Sequence, residues 1–192
     1  MRNPGGGVSL FNMDLVQNDA PGASYSEKGA DSDVVWGGNR ARKLLHLDDP
    51  RTFKSWFVGM FEREAWFLAA SEKSHKKPLE VTINGNQVTY PDWGIENSIL
   101  TYRWFEFPEE WLKEGMNTIE LACPAAESPE EGWEIWLSRA DEFPDGGGNP
   151  AHVGETSFKS FDGGGTWLES PFGPNRDERA EYAIRLSLDR YV

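Results

Sequence analysis

Two tryptophans lie in polar segments that hydrophobic alternation does not explain: Trp36 in DSDVVWGGNRAR and Trp93 in TYPDWGIENS. An indole in a loop offers a flat apolar face that matches the C–H face of a pyranose ring. The neighbouring groups that could pair with sugar hydroxyls are Asn39, Arg40, Arg42 and Asp92. For a uronic or sulfated polysaccharide, Arg40 and Arg42 are the residues of interest, because guanidinium groups bind oxyanions bidentately. The alternative for each indole is a loop anchor at the rim of the core.

The segment SFDGGGTW offers a different kind of local chemistry. Asp162 can accept hydrogen bonds from the loop backbone, Gly164 permits a turn, and Trp167 can pack underneath. The pattern Ser-x-Asp-x-Gly-x-Thr-Trp resembles the Asp-box of extracellular carbohydrate-active proteins, on the positions Ser160, Asp162, Gly164, Thr166 and Trp167. A structural turn is favoured over direct ligand contact. One such motif does not make a propeller, which needs several blades of about 40–50 residues.

Catalytic patterns are scarce in this sequence. It contains no Gly-x-Ser-x-Gly, no His-Glu-x-x-His and no phosphate-binding loop followed by Lys and Ser or Thr. Carboxylate pairs for glycosidic cleavage are defined by spatial separation, so the sequence does not exclude them. Polysaccharide lyases with a jelly-roll fold use Tyr, His and Arg, and the corresponding enzyme hypothesis rests on Tyr102, Arg103 and His75.

Acidic clusters are the only candidates for a metal site. Ca²⁺ takes about 6–8 oxygen ligands, and the group predicted to furnish some of them is Asp141, Glu142 and Asp145. None of the clusters has the spacing of a defined calcium loop, and solvated surface charge is the alternative. The single cysteine, Cys123, excludes an intramolecular disulfide and a multi-cysteine zinc site, and is expected to be buried.

The net charge of −13 restricts the partners. Such a surface repels phosphate backbones and anionic headgroups, so nucleic acid and membranes are poor partners, whereas neutral sugars and Ca²⁺ remain compatible. The sequence has no run of about 18 apolar residues and no signal-like h-region. We expect an extracellular or periplasmic protein whose signal is not in this sequence. The final strand pattern reaches Val192, which suggests a domain of a longer chain.

The elements that position these residues are predicted to be strands. Residues 1–30 are expected to be flexible apart from one short strand in VSLFNMDLV, and residues 31–192 to form a single antiparallel β-sandwich. The strands are expected near Arg42–Leu47, Lys54–Phe61, Ala65–Ser71, Leu79–Tyr90, Arg103–Phe107, Asn117–Ala122, Trp133–Arg139 and Ala180–Arg190. Asn84-Gly85 predicts a tight hairpin turn, and Pro108–Lys113 predicts a single helical turn. Trp133 alternates with Ile135 and Leu137 and is expected in the core.

The segments LEVTINGNQV and RWFEFPEEWLKEGMNTIELA resemble the galactose-binding-like jelly roll. The resemblance covers Leu79 to Ala122 well and implies an accessory carbohydrate-binding module, covalently linked to a catalytic domain, in which a structural Ca²⁺ is common. Because this fold also hosts other binders, the function stays a hypothesis: non-catalytic recognition of a polysaccharide or glycan. The alternatives are a jelly-roll lyase or glycosidase and an interdomain module without a ligand.

Overall fold

The protein is an antiparallel all-β sandwich. The computed structural model describes residues 13–16, 32–47, 65–71, 77–91, 101–139, 156–169, 171–172, 175–182 and 184–189. Within these ranges the only helical elements are two short 3₁₀ turns, Glu109–Trp111 and Pro129–Glu131. No helix in the described part of the chain is long and apolar enough to cross a membrane.

The strands form three hydrogen-bonded groups. In chain order they are β1 (Met13–Val16), β2 (Ser32–Val35), β3 (Arg40–Leu47), β4 (Ala65–Ser71), β5 (Leu79–Ile83), β6 (Asn86–Tyr90), β7 (Thr101–Phe107), β8 (Gly115–Ala122), β9 (Trp133–Arg139), β10 (Ser157–Ser160), β11 (Leu168–Glu169), β12 (Ala180–Tyr182) and β13 (Ile184–Asp189). The largest sheet has six strands in the order β11-β10-β3-β8-β5-β6. The others have the orders β1-β13-β4-β7 and β12-β9-β2.

The six-stranded sheet packs its inner face against the other two sheets. Strand β3 lies against β1 and β13, and β10 lies against β12. On β5 the residues Leu79, Val81 and Ile83 are buried and alternate with partly exposed neighbours. Ile119 and Leu121 continue this alternation on β8. Trp133, Ile135 and Leu137 of β9 also join the core, although Glu134 between them is buried as well. The hydrophobic period of two therefore places one face of each strand in the interior.

Most of the predicted strands are confirmed. Strands β4 and β9 have the predicted bounds, Leu79–Tyr90 divides at Asn84-Gly85 into β5 and β6, and β1 lies within VSLFNMDLV. The burial of Trp133 and Cys123 is also confirmed. The strands β2, β10 and β11 were not predicted, because each has at most four residues and too little alternation to be recognised. The predicted strand Lys54–Phe61 lies outside the described residues.

A pair of asparagines connects the β5–β6 hairpin to β8. Asn84 has a positive φ of 50° and Gly85 one of 88°, as a tight hairpin turn requires. The amide of Asn84 donates to the backbone oxygen of Trp111 and to Oδ1 of Asn117, both at 2.8 Å. Asn117 is fully buried and also bonds the backbone of Lys113 and Gly115. The residues that resemble the galactose-binding-like pattern thus fix the 3₁₀ turn between two strands.

Candidate functional site

Strand β3 directs two arginines to the outer face of the six-stranded sheet. Ala41, Lys43 and Leu45 are buried, and Arg40 and Arg42 alternate with them. Successive side chains of a strand point to opposite faces, so both guanidinium groups lie on the side away from the second layer. The sequence predicts a strand that begins at Arg42, whereas in the structure the strand begins at Arg40 and includes both arginines.

Arg42 is the centre of a row of mostly polar side chains that crosses the sheet. The antiparallel register aligns Phe158, Arg42, Glu120, Thr82 and Gln87 on β10, β3, β8, β5 and β6. Nε and Nη2 of Arg42 donate to Oε1 of Glu120 at 2.9 and 2.6 Å. Cζ of Arg42 lies 3.8 Å from the centroid of the Trp167 ring. Trp167 and this row together therefore bring an indole, a guanidinium and a carboxylate side by side, at positions that remain partly exposed.

The loop that carries Trp167 is held by its own hydrogen bonds. Oγ of Ser160 donates to Oδ1 of Asp162 at 2.7 Å and accepts from the Gly164 N–H at 2.8 Å. The Thr166 N–H donates to Asp162 Oδ1 at 2.8 Å. These hydrogen bonds lower the pKa of Asp162 to about 2, and the bond from the Thr166 N–H has the largest effect. Gly164 has a φ of +98°, a conformation that glycine adopts without steric cost.

The β2–β3 hairpin lies directly beside this loop. The Gly163 N–H donates to Gly38 O at 2.8 Å, and a Cβ on Gly38 would lie only 3.3 Å from Phe161 O. The hairpin closes through the Asn39 N–H and Trp36 O at 2.8 Å, so Asn39 occupies its turn. Trp36 is half-buried and packs against the core, as in the loop-anchor alternative for this indole.

Arg40 lies between the hairpin and the loop. Its register partners are Ser160 on β10 and Ala122 on β8. Cδ and Nη1 of Arg40 approach the position that a Cβ on Gly164 would occupy, at 3.7 and 3.8 Å. Nε of Arg40 is buried and has no hydrogen-bond partner among the described residues.

Of the remaining predicted site residues, the structure describes only Tyr102 and Arg103. Trp93, Asp92, His75 and the acidic group Asp141, Glu142 and Asp145 lie outside the described residues. Tyr102 and Arg103 belong to β7, in a different sheet. Among the residues that the structure describes, no three His, Cys, Asp or Glu side chains are grouped so as to hold a metal ion. Calcium binding therefore stays a sequence-based prediction.

Sequence reasoning missed Glu120 and assigned Trp167 only a structural role. The alternation of NTIELA does put Glu120 on the face opposite Ile119 and Leu121. Nothing local, however, indicates that β8 pairs with β3 in the register that sets Glu120 opposite Arg42. The two residues are 78 positions apart in sequence, and such a non-local pairing forms only when distant segments of the chain meet.

A second polar cluster lies between the two layers and is closed to solvent. Nζ of Lys43 is 2.6 Å from Oε2 of Glu181, and both side chains are almost completely buried. Ser157 and Thr156 donate hydroxyl hydrogen bonds to the same carboxylate oxygen. Beside them, Lys159 pairs with Asp33, and the Tyr182 hydroxyl donates to Asp33 Oδ2 at 2.6 Å. Burial raises the pKa of Tyr182 well above its usual value, and the Asp33 carboxylate acts in the same direction.

Comparison with known proteins adds little to this description. No protein-family model matches the chain, and no curated protein matches it. Among solved structures it is similar to the cysteine protease and lectin-like domains of Cwp84, a surface layer associated protein of Clostridium difficile, with 10% sequence identity and a TM-score of 0.47. The alignment covers 93% of this chain and 36% of that chain. At this level of similarity, the likeness carries no conclusion about function.

Proposed function

We propose that this chain is a non-catalytic carbohydrate-binding module, exported from the cell and accessory to a glycoside hydrolase or lyase. The observation that carries the proposal is the outer face around Arg42, where Trp167, the guanidinium and Glu120 lie side by side on a hydrogen-bonded sheet. A sugar ring needs an apolar surface for its C–H face and fixed polar groups for its hydroxyls. On this face we assign the apolar surface to the side of the Trp167 indole away from the Arg42 guanidinium, and the polar groups to Arg42 and Glu120.

The rigidity of the face supports binding of a flexible glycan. Arg42 and Glu120 are held by a two-point hydrogen bond, and Trp167 is held by the loop 160–167. Groups that are ordered before the ligand arrives lose less side-chain entropy on binding. The affinity is expected to be modest, because the face lies on the outside of a sheet and its side chains are only partly buried.

The charge states of the face favour recognition over proton transfer. Asp162, whose pKa is lowered to about 2, stays ionised at neutral pH and is a poor general acid. Glu120 forms an ion pair with Arg42 at 2.6 Å. A glycosidase would need a carboxylic acid that is protonated near neutral pH.

The test is a glycan array followed by calorimetry on the intact chain. Trp167→Ala and Arg42→Gln are expected to weaken binding by about 10-fold or more, the effect of losing a well-placed anchor at an interface. Met116→Ala is the control, because Met116 is exposed at the far end of β8. Each variant is first shown to have the circular dichroism spectrum of the parent.

Three results would contradict the proposal. Binding that survives both substitutions would remove this face as the site. The absence of binding to every glycan would favour a structural module between domains. Release of unsaturated or reducing ends from a polysaccharide by the purified chain would make the protein an enzyme, as in the lyase hypothesis.

A further inference from the structure

Arg40 differs from its neighbour Arg42 in having no acidic partner. Arg42 is paired with Glu120 at 2.6 Å, whereas no carboxylate in the described part of the chain forms an ion pair with Arg40. The side chain is nevertheless held in place, because its Cδ and Nη1 pack beside Gly164. The loop 160–167 and the β2–β3 hairpin, joined through Gly163 and Gly38, flank it.

The two sides of the Arg40 guanidinium have different surroundings. Nε is buried without a hydrogen-bond partner among the described residues, whereas neither Nη nitrogen is a buried unpaired atom, and Arg40 as a whole is partly exposed. A buried donor without a partner is costly. The outward edge is the planar fork that matches a carboxylate bidentately.

The charges around Arg40 leave it positive. The loop 160–167 carries one carboxylate, Asp162, whose Oδ1 accepts hydrogen bonds from the Ser160 hydroxyl and the Thr166 N–H. Glu120 lies diagonally from Arg40 on the adjacent strand but is paired with Arg42. Glu80 shares the outer face two strands away, opposite Ala122, at about 10 Å by the spacing of strands in a sheet. Arg40 is thus a partly exposed cation without an ion-pair partner in the described part of a chain whose net charge is −13.

We infer that Arg40 binds the carboxylate of an acidic sugar, next to the face formed by Arg42, Glu120 and Trp167. This inference rests on the proposed function and names its ligand class as a uronic acid polysaccharide. The negative charge of the protein favours a ligand with one carboxylate per sugar over a ligand with several sulfate esters. One arginine can neutralise one carboxylate per site, and the negative surface repels a chain with several sulfates per sugar more strongly than a chain with one carboxylate per sugar.

The experiment compares polygalacturonate with its fully methyl-esterified form and with a neutral glucan, by calorimetry at low ionic strength. The parent is expected to bind polygalacturonate about 10-fold or more tightly than the ester, since esterification removes the charge-assisted bidentate bond. Arg40→Gln is expected to abolish this preference. Arg40→Lys should restore it only in part, because an ammonium is a point charge without the planar fork.

Lys113→Gln is the matched control, since it removes an exposed positive charge beyond the 3₁₀ turn that precedes β8. It should leave the preference for the free acid unchanged. Circular dichroism and thermal melts establish that each variant is folded, and a folded Arg40→Lys keeps the test valid if Arg40→Gln does not fold.

The failure of this inference can be distinguished from the failure of the proposed function. If the parent binds neutral glucan and the ester as tightly as the free acid, and binding depends on Trp167 and Arg42, the carboxylate inference is wrong and the module hypothesis stands. Preference for dextran sulfate over polygalacturonate also overturns the inference. If no glycan binds at all, both are wrong.

Discussion

Among the interactions of the described residues that we consider, the ion pair of Lys43 and Glu181 is expected to have the largest effect on stability. Both groups are withdrawn from water, and the carboxylate also accepts hydrogen bonds from Ser157 and Thr156. Removing one charge of a buried pair leaves the other uncompensated, which costs about 3–5 kcal/mol. We therefore expect Glu181→Gln to lower the free energy of unfolding by about that amount, measured by urea denaturation.

The control for this substitution is Glu120→Gln, which removes the same charge from a partly exposed pair. Exposed pairs contribute about 0.2–1 kcal/mol, so Glu120→Gln should shift the midpoint only slightly. The double substitution Lys43→Met, Glu181→Leu should recover much of the loss, because no charge is then left alone in the interior. Equal losses for Glu181→Gln and Glu120→Gln would show that Lys43 is not enclosed as described.

Asp162 gives the stability a predictable pH dependence. Its pKa is lowered from 3.8 to about 2 by hydrogen bonds, first from the Thr166 N–H and then from Ser160. A lowered pKa in the folded state adds stability above the unfolded-state pKa, and this contribution is lost as the pH falls through the folded-state pKa. The melting temperature of Asp162→Asn should therefore lie below that of the parent at pH 7, and the gap should narrow between about pH 4 and pH 2.

The matched control for this titration is Asp177→Asn, which changes an exposed carboxylate outside the loop. Its melting temperature should follow that of the parent across the same pH range. A gap between Asp162→Asn and the parent that stays constant from pH 7 to pH 2 would mean that the carboxylate does not act through its charge.

At the scale of the element, Asn117 joins the 3₁₀ turn, the start of β8 and the β5–β6 hairpin. Its amide makes four hydrogen bonds, to Lys113 N and O, to Gly115 O and to Asn84 Nδ2. Truncation leaves several buried groups unpaired, each of which costs about 1–3 kcal/mol. Asn117→Ala is expected to destabilise the domain by about 2–4 kcal/mol, measured by chemical denaturation.

Asn86→Ala serves as the comparison at the same hairpin. The Asn86 amide is exposed and makes one long hydrogen bond, 3.4 Å to Ile83 O. Its loss should change the unfolding free energy by less than about 0.5 kcal/mol. Similar effects for Asn86→Ala and Asn117→Ala would indicate that the asparagine pair does not fix the turn.

The elements that sequence reasoning predicted best are those with local chemical signals. Asn84-Gly85 specifies its hairpin, and Pro108 begins its turn, because these residues restrict the backbone by themselves. Strand β10 has only four residues and one partly exposed hydrophobe, so nothing local identifies it. Its pairing with β3 is nevertheless what sets Ser160 opposite Arg40.

At the scale of the whole molecule, the candidate site is assembled from distant segments. Arg40 and Arg42 were predicted as ligand-binding residues and the loop 160–167 as a structural turn, but their proximity could not be predicted. The register of β10, β3 and β8 brings them and Glu120 together. Such pairings depend on packing in the completed sandwich, and a sequence pattern identifies the pieces without their arrangement.

The reactivity of the single cysteine can test whether the sandwich unfolds as one cooperative unit. Cys123 follows β8, is completely buried, and its carbonyl accepts hydrogen bonds from Gly37 N and Ala126 N at 3.0 and 3.1 Å. Burial raises the pKa of its thiol to about 11, so little reactive thiolate forms at pH 8. Labelling with a thiol reagent should therefore need an opening of the structure.

We expect Cys123 in the native protein to react with the thiol reagent much more slowly than in the urea-unfolded chain at pH 8. The rate is measured by a colorimetric thiol assay. If the opening is global, Glu181→Gln should accelerate labelling by about 100-fold or more, since every 1.4 kcal/mol of lost stability increases the open population about tenfold. Cys123→Ser is the blank, because it removes the only thiol of the chain. Labelling that is slow but indifferent to Glu181→Gln would assign the opening to the turn after β8 alone, and the two layers would then not unfold as one unit.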